Sequence, residues 1–299
     1  MPEKTIKKTV KIIIKVILVC FILLFLGGCL FFWGLKAADL SEVERKLVFK
    51  PTNQTYELIP ELSSNTEKGS FLSDDGTKIT YMRIKGQKSF PVIVFCHGNE
   101  KSMTNINNQD KLKFLTQSGY EVFALDYRGY GDSKGIPSEE GVYSDINAFI
   151  SYLNKEYNIP EQDIVLWGHS LGSAIAINEA TKRNFKGVII EGAFTSIEDM
   201  REHVVNNERK SDPVSLLIRD YIYNSIKITQ KFLSKEKISA IKSPMLIVHA
   251  IHDEQVPYSM GKKLSEIKPD AQTYFSETGG HCDSGWQDRP VLEFIKGLR

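Results

Sequence analysis

Residues 164–174 constrain the fold of this chain more than any other part of its sequence. They read IVLWGHSLGSA, which is a short apolar run, a glycine-x-serine-x-glycine motif and the small residues of a buried helix. In so sharp a strand-to-helix turn, a Cβ on Gly168 or Gly172 would collide with neighbouring backbone. The pattern therefore predicts that Ser170 stands clear of a sheet with an exposed hydroxyl, as a nucleophile does.

Other apolar runs of strand length alternate with segments of helix length. The predicted strands cover residues 91–96, 121–125, 164–167, 188–190 and 245–248. Between the second and third of these, a helix is predicted from Ser138 to about Tyr157 because its apolar residues fall on one face. Strands that are apolar throughout and separated by helices are typical of a mostly parallel sheet with both faces covered. The sequence therefore predicts an α/β fold.

A serine hydroxyl needs a general base beside it, and an acid must orient that base. A further strand, the last, is predicted over Ala271–Phe275. Of the six histidines, only His281 lies in the loop after it, where the base is expected. For the acid, Asp253 follows the predicted strand at 245–248, and the adjacent Glu254 is the alternative. Asp220 and Glu191 are weaker candidates because both precede that strand.

Acyl transfer also needs two backbone N–H groups directed at the developing oxyanion. Leu171, directly after the predicted nucleophile, is expected to supply one of them. Asn99 is expected to supply the other, although an asparagine at this place is also a common turn residue. The residues expected to support the elbow and the oxyanion loop are Gly168, His169, Gly172, His97 and Gly98.

Taken together, the motifs resemble the α/β-hydrolase superfamily in order and spacing. They are CHGN at residues 96–99, DYRGYGDS at 126–133, GHSLG at 168–172, Asp253 before Val256-Pro257, and Gly280-His281. More narrowly, the chain is similar to membrane-anchored serine hydrolases of the serine-aminopeptidase-like or monoacylglycerol-lipase-like type. The resemblance covers about residues 66–299. It implies the α/β-hydrolase fold with an eight-stranded sheet, a Ser-His-Asp mechanism without metal or cofactor, and a bracing role for Arg128.

Four cysteines are too few for a disulfide framework. Cys20 and Cys29 fall in an apolar N-terminal run, which leaves Cys96 and Cys282 in the body. Related sequences often carry asparagine or another polar residue where this chain has Cys282. A reactive thiol, a Cys96–Cys282 bridge and a small buried residue all stay open for this position.

The N-terminal run predicts a membrane anchor. Residues 16–35 contain no charge, and twenty helical residues span about 30 Å, the thickness of the hydrocarbon core. The anchor is predicted over residues 1–36, with a span of about 12–35. A cleaved signal peptide or a lipoprotein signal ending at Cys29 are the alternatives.

The basic residues flanking the span are Lys4, Lys7, Lys8, Lys11 and Lys15 before it, and Lys36, Arg45, Lys46 and Lys50 after it. Their slight excess before the span predicts a cytoplasmic N-terminus and an extracytoplasmic body.

The remaining chain is divided by composition. Residues 37–65 are predicted to be a juxtamembrane linker, and residues 66–299 the hydrolase domain. Within that domain, an insert over about 195–243 is the expected lid. The insert is amphipathic with basic flanks, which suits an apolar substrate pocket, contact with the membrane surface, or a cap on the sheet.

The charge balance excludes one class of function. Lys and Arg number 38 against 37 Asp and Glu, and five of the lysines precede residue 16, so the body is slightly acidic. No nucleic acid partner is therefore expected.

The sequence favours a membrane-anchored serine hydrolase acting on an acyl ester, a thioester or a lipid ester. A serine aminopeptidase-like peptidase and a catalytically silent hydrolase-fold scaffold are the alternatives, and the sequence does not specify an oligomeric state.

Overall fold

The computed structural model describes residues 27–28, 41–52, 54–207, 227–285 and 289–298. The chain divides into two compact units. One consists of Met1–Val43 and Arg209–Lys227 and falls almost entirely outside the described residues. The other consists of Glu44–Glu208 and Ile228–Arg299, and it holds the eight-stranded sheet together with Ser170, Asp253 and His281.

The described helices and strands alternate along most of the chain. The helices are α1 Ser41–Val48, α2 Pro60–Ser63, α3 Ile106–Gln117, α4 Glu139–Tyr157, α5 Leu171–Ala180, α6 Ile197–Asn207, α7 Ser234–Lys237, α8 Tyr258–Ile267 and α9 Arg289–Gly297. The strands are β1 Lys50–Pro51, β2 Thr66–Leu72, β3 Lys78–Ile84, β4 Lys88–Cys96, β5 Glu100–Lys101, β6 Tyr120–Asp126, β7 Ile164–His169, β8 Gly187–Glu191, β9 Met245–Ala250 and β10 Gln272–Ser276.

Eight strands form one sheet in the order β10-β9-β8-β7-β4-β6-β3-β2. The β2–β3 and β3–β6 pairs are antiparallel, and the other five pairs are parallel. The predicted α/β fold with a mostly parallel eight-stranded sheet is therefore confirmed. Separately, β1 and β5 pair in a two-stranded parallel ribbon.

Helices pack on both faces of this sheet, which explains why β7 and β8 are buried along their whole length. One core contains the apolar face of α4, where Phe149 stacks on Phe71. The other contains Trp167 from β7, with Phe95 edge-on to its ring. Because alternate residues of β7 enter opposite cores, the strand is fixed in register and its carboxyl end is fixed in space.

Local sequence signals set the ends of α4, the longest described helix. Ser138 caps its N-terminus by accepting a hydrogen bond from the N–H of Gly141. Asn158 ends it in the left-handed conformation, which asparagine tolerates better than most residues. The helix predicted from Ser138 to about Tyr157 thus has the expected limits.

Part of the predicted linker packs as part of the compact unit. Phe49 and Leu62 are both fully buried. The N–H of Tyr56 also donates to the hydroxyl of Thr104, and that of Ile59 donates to the side chain of Gln109. These contacts fasten the described part of residues 44–65 to the loop and helix that follow β5.

The predicted membrane span over about residues 12–35 lies outside the described residues, apart from Gly27 and Gly28. Across the described ranges, the helices are all too short or too polar to cross a bilayer. The central part of the predicted lid insert, residues 208–226, also lies outside the described residues.

Candidate active site

Ser170 occupies the sharp turn between β7 and α5. Its backbone has φ +53° and ψ −118°, a conformation that costs a non-glycine residue strain. A Cβ on Gly168 would lie 2.2 Å from the carbonyl oxygen of Gly172, and one on Gly172 would lie 2.0 Å from that of Cys96. Only glycine fits at either place. The turn is held from the neighbouring strand, because the N–H of Ser170 donates to the carbonyl of Glu191 at 2.8 Å.

The structure brings Ser170, His281 and Asp253 into one hydrogen-bonded chain. Nε2 of His281 lies 2.9 Å from the hydroxyl of Ser170, although 111 residues separate the two in sequence. Nδ1 of His281 lies 2.7 Å from Oδ2 of Asp253. With the Nδ1 proton directed at the carboxylate, Nε2 is left to accept the serine proton.

Asp253 is fixed by the backbone that follows it. Its Oδ1 accepts the N–H groups of Gln255 and Val256 at 2.9 and 2.8 Å. Burial acts to raise the pKa of Asp253, but the hydrogen bond from His281 and these two N–H groups outweigh it and lower the pKa. The group therefore stays a carboxylate at neutral pH, as a residue that orients an imidazole must.

The other acids considered from sequence occupy different places. Glu254 is exposed and lies beside Gly280 rather than on the imidazole. Glu191 is fully buried at the end of β8, 3.0 Å from the ammonium of Lys111. Asp220 lies outside the described residues. Asp253 is thus the acid that meets Nδ1 of His281.

The loop predicted to contribute to the oxyanion hole lies beside the nucleophile. A Cβ on Gly98 would be 3.4 Å from the Cβ of Ser170. The next residue, Asn99, is held firmly: its side chain donates to the carbonyl of Val48 at 3.2 Å, and its own carbonyl accepts from the N–H of Lys50 and the hydroxyl of Tyr130. On the other side of the site, Leu171 is the first residue of α5. Its N–H therefore has no acceptor within the helix.

His97 and His169 flank this arrangement and are both buried. The Nδ1–H of His97 donates to the carbonyl of Gly98 at 2.7 Å, and its own carbonyl accepts from the hydroxyl of Tyr127. The ring of His169 lies 5.0 Å from that of His281 between centroids. Burial lowers the pKa of His169 to about 4, so this side chain is neutral beside the triad at ordinary pH.

Sequence reasoning missed three residues at the site. Gly192 lies against the ring of His281, His249 lies behind Asp253 with 3.4 Å between Nε2 and Oδ2, and Lys111 pairs with Glu191. For Gly192, the available signal was a glycine directly after a buried strand. For His249 and Lys111 the sequence offered no signal, because the residues that they contact lie in a loop or far along the chain.

Two further features of the site concern cysteine and metal ligands. No disulfide joins Cys96 to Cys282, and Cys96 is buried. Burial raises the pKa of the Cys96 thiol to about 12. In the part of the chain that the structure covers, no three His, Cys, Asp or Glu side chains are grouped as metal ligands.

Known structures share this architecture. A Pyrococcus furiosus esterase, Pf2001, superposes with a TM-score of 0.70 at 18% identity, covering 84% of this chain and 98% of that chain. The chain has the α/β-hydrolase fold. An α/β-hydrolase from Vibrio vulnificus superposes with a TM-score of 0.67 at 17% identity, over 86% of this chain and 94% of its own. Residues 87–211 of the present chain match the family model described as serine aminopeptidase, S33, so the expected resemblance is confirmed.

Curated relatives of the chain include proteins named as lipases. The lysophosphatidylserine lipase ABHD12 of Danio rerio is 35% identical over 193 residues, which is 60% of this chain and 48% of that protein. Protein ABHD12B of Homo sapiens is 31% identical over 188 residues, again 60% of this chain and 51% of its own length. The chain thus spans about half the length of the curated relatives it matches.

Proposed function

We propose that this chain is a serine hydrolase that cleaves a carboxylic ester, with a lipid ester as its substrate. The observation that carries the proposal is the hydrogen-bonded chain from Ser170 through His281 to Asp253. It stands at a strained turn where only glycine fits on either side of the nucleophile. A fold holds a non-glycine residue in such a conformation at a cost, and that cost is typical of functional sites.

The proposed reaction follows from the geometry. His281 takes the hydroxyl proton as Ser170 attacks the ester carbonyl, and Asp253 stabilises the resulting imidazolium. The backbone N–H groups of Leu171 and Asn99 hold the oxyanion of the tetrahedral intermediate. Its collapse expels the alcohol, which receives the proton from His281, and leaves an acyl-enzyme. Water, deprotonated by the same imidazole, then attacks the acyl-enzyme and releases the acid.

Two independent observations favour a lipid ester. Two curated relatives, 35% and 32% identical to this chain, are named as lysophosphatidylserine lipases. The N-terminal run of twenty uncharged residues also suits a bilayer, and it would hold the site near such substrates. We propose a span over about residues 12–35, a cytoplasmic N-terminus and an extracytoplasmic hydrolase domain.

The test uses the full chain in detergent micelles beside its Ser170→Ala variant. Hydrolysis of p-nitrophenyl esters from acetyl to palmitoyl and of a lysophospholipid is measured, together with labelling by a fluorophosphonate. The variant is expected to lose about four or more orders of magnitude in kcat and all labelling. Ser63→Ala, at an exposed position on α2, is the control and should behave as wild type.

Each rival function predicts a different result. Labelling with hydrolysis of an aminoacyl amide but no ester turnover would favour the peptidase suggested by the family description. If folded wild-type protein shows no labelling and no turnover, the result would favour the catalytically silent scaffold. An optimum at long acyl chains, with turnover of the lysophospholipid, would support the lipase.

A further inference from the structure

A buried ammonium lies beneath the candidate active site. Lys111, on α3, is 1% exposed, and its Nζ lies 3.0 Å from Oε1 of the fully buried Glu191. The same Nζ donates to the backbone carbonyl of Cys282 at 2.8 Å, 171 residues further along the chain. One side chain therefore joins the end of β8 to the loop that carries His281.

Glu191 reaches the nucleophile on its side. Its backbone carbonyl accepts the N–H of Ser170 at 2.8 Å and the hydroxyl of Ser173 at 2.9 Å. Its Oε2 accepts the indole N–H of Trp167 at 3.2 Å. The residue is thereby fixed to the strand before the elbow, to the elbow itself and to the helix after it.

On the other side, the carbonyl that Lys111 holds belongs to the residue directly after His281. The ammonium thus connects the loop of the general base with the turn of the nucleophile. This connection does not pass through Asp253, which holds His281 from the opposite ring nitrogen.

Burying the Lys111–Glu191 ion pair costs desolvation free energy, so stability alone does not explain the pair. Removing an ammonium and a carboxylate from water costs several kcal/mol each, and apolar residues of the same volume serve stability as well or better. Burial acts to raise the pKa of Glu191, but Lys111 and His169 together outweigh it and lower the pKa to about 2. Glu191 is therefore a carboxylate at neutral pH, and its attraction to Lys111 is directional in a way that apolar packing is not.

We propose that Lys111 is a positioning residue that sets the separation of Ser170 and His281 by holding Glu191 and the carbonyl of Cys282 with one ammonium. The inference rests on the proposed serine hydrolase function and deepens it. Lys111 pairs with Glu191 and donates to the carbonyl of Cys282, and its proposed effect on Ser170 and His281 passes through these two residues.

The ion pair also balances charge near the base. The titratable and charged groups around His281 are Asp253, His169, His249, Glu191, Lys111, Cys282 and Glu254. Without Lys111, the negative charge of Glu191 has no opposite charge beside it and stabilises the imidazolium of His281, which raises the apparent pKa of His281. Without Glu191, the positive charge of Lys111 destabilises that imidazolium and lowers the apparent pKa of His281. The two single variants should therefore shift the acidic limb of the kcat/KM profile in opposite directions.

The experiment compares full-length Lys111→Met, Glu191→Gln and the double variant with wild type, using a p-nitrophenyl ester. Each single variant should lower kcat and the rate of fluorophosphonate labelling by about 10- to 100-fold while KM changes less than about twofold, since a misplaced triad affects the transition state more than binding. The acidic limb should move up by about half a pH unit in Lys111→Met and down by a similar amount in Glu191→Gln. The double variant should return the limb to the wild-type position and stay slow.

Lys113→Met is the matched control. Lys113 lies two residues further on the same helix and pairs with Glu61 at the surface, so its loss should leave kcat and the profile unchanged. Should Lys111→Met fail to fold, Glu191→Gln preserves shape and carries the same measurements. Unchanged kcat, labelling and limb in folded variants, with only a lower melting temperature, would overturn the inference and leave the proposed function intact. A wild type that neither labels nor turns over would end both.

Discussion

Gly192 lies directly against the imidazole of His281. A Cβ on Gly192 would be 3.0 Å from Cε1 and 3.1 Å from Nδ1 of that ring, and 3.6 Å from Oδ2 of Asp253. Gly192 also has φ +56°, in the left-handed region that favours glycine. The place of the imidazole between Ser170 and Asp253 thus depends on a residue that has no side chain.

We expect Gly192→Ala to lower kcat by about tenfold or more, because the added methyl group must push the ring away from one of its two partners. The measurement is ester turnover with the melting temperature alongside. Gly76→Ala is the control for backbone strain, since Gly76 has φ +80° and open space where the Cβ would stand. Both variants should lose about 1 kcal/mol of stability, and only Gly192→Ala should lose activity. Equal activities would show that the ring does not depend on Gly192.

Glu44 is a buried carboxylate on α1. It accepts the N–H and hydroxyl of Thr229 and the N–H of Gln230, at 2.6, 2.5 and 2.8 Å. Glu44→Ala leaves three donors without their acceptor in a site that is 3% exposed. We expect it to lower the free energy of unfolding by about 2–3 kcal/mol, measured by urea denaturation.

Glu156→Ala is the control for that measurement, because Glu156 lies in an exposed pair with Lys155. Its effect should be under about 1 kcal/mol. If the two variants unfold at the same urea concentration, the carboxylate of Glu44 does not fasten the segment at 229–230.

Lowering the pH should destabilise the protein, in part because of His169. Burial lowers its pKa from 6.5 to about 4. Between these two pH values the imidazole of His169 is protonated in the unfolded chain and neutral in the folded protein. Stability therefore falls as the pH falls from 6.5 to about 4, by about 3 kcal/mol from this group. In His169→Gln the fall over this window should be smaller by that amount, as followed by urea denaturation at successive pH values. His252→Gln, at an exposed histidine, should retain the wild-type slope, and a wild-type slope in His169→Gln would contradict the prediction.

Much of the fold was accessible from sequence because its signals are local. The apolar runs predicted β4, β6, β7, β8 and β9, since a strand buried on both faces must be apolar throughout. The glycines at 168 and 172 predicted a turn that excludes any Cβ, and the distances to the carbonyls of Gly172 and Cys96 bear this out. The order of serine, aspartate and histidine along the chain predicted which side chains would meet.

Residues 44–65, within the predicted linker, make a contact that their composition does not indicate. The prolines and polar residues of the linker indicated a spacer, yet Phe49 is buried and packs edge-on against Phe232. The contact joins residues more than 180 positions apart. No local pattern encodes such a pair, because each partner alone reads as an ordinary apolar residue.

By itself the sequence determined the α/β class, the elbow around Ser170 and the identity of the side chains that meet there. The class and the elbow follow from the burial of strands and from backbone sterics, which act over a few neighbouring residues, whereas the side chains that meet were predicted from the order of the motifs along the chain. Only the tertiary structure decided that Lys111 would pair with Glu191, that Gly192 would support His281, and that residues 44–52 would join the unit. Those contacts arise where distant segments close on one another, and the desolvation of a charge or the space for a Cβ depends on that closure.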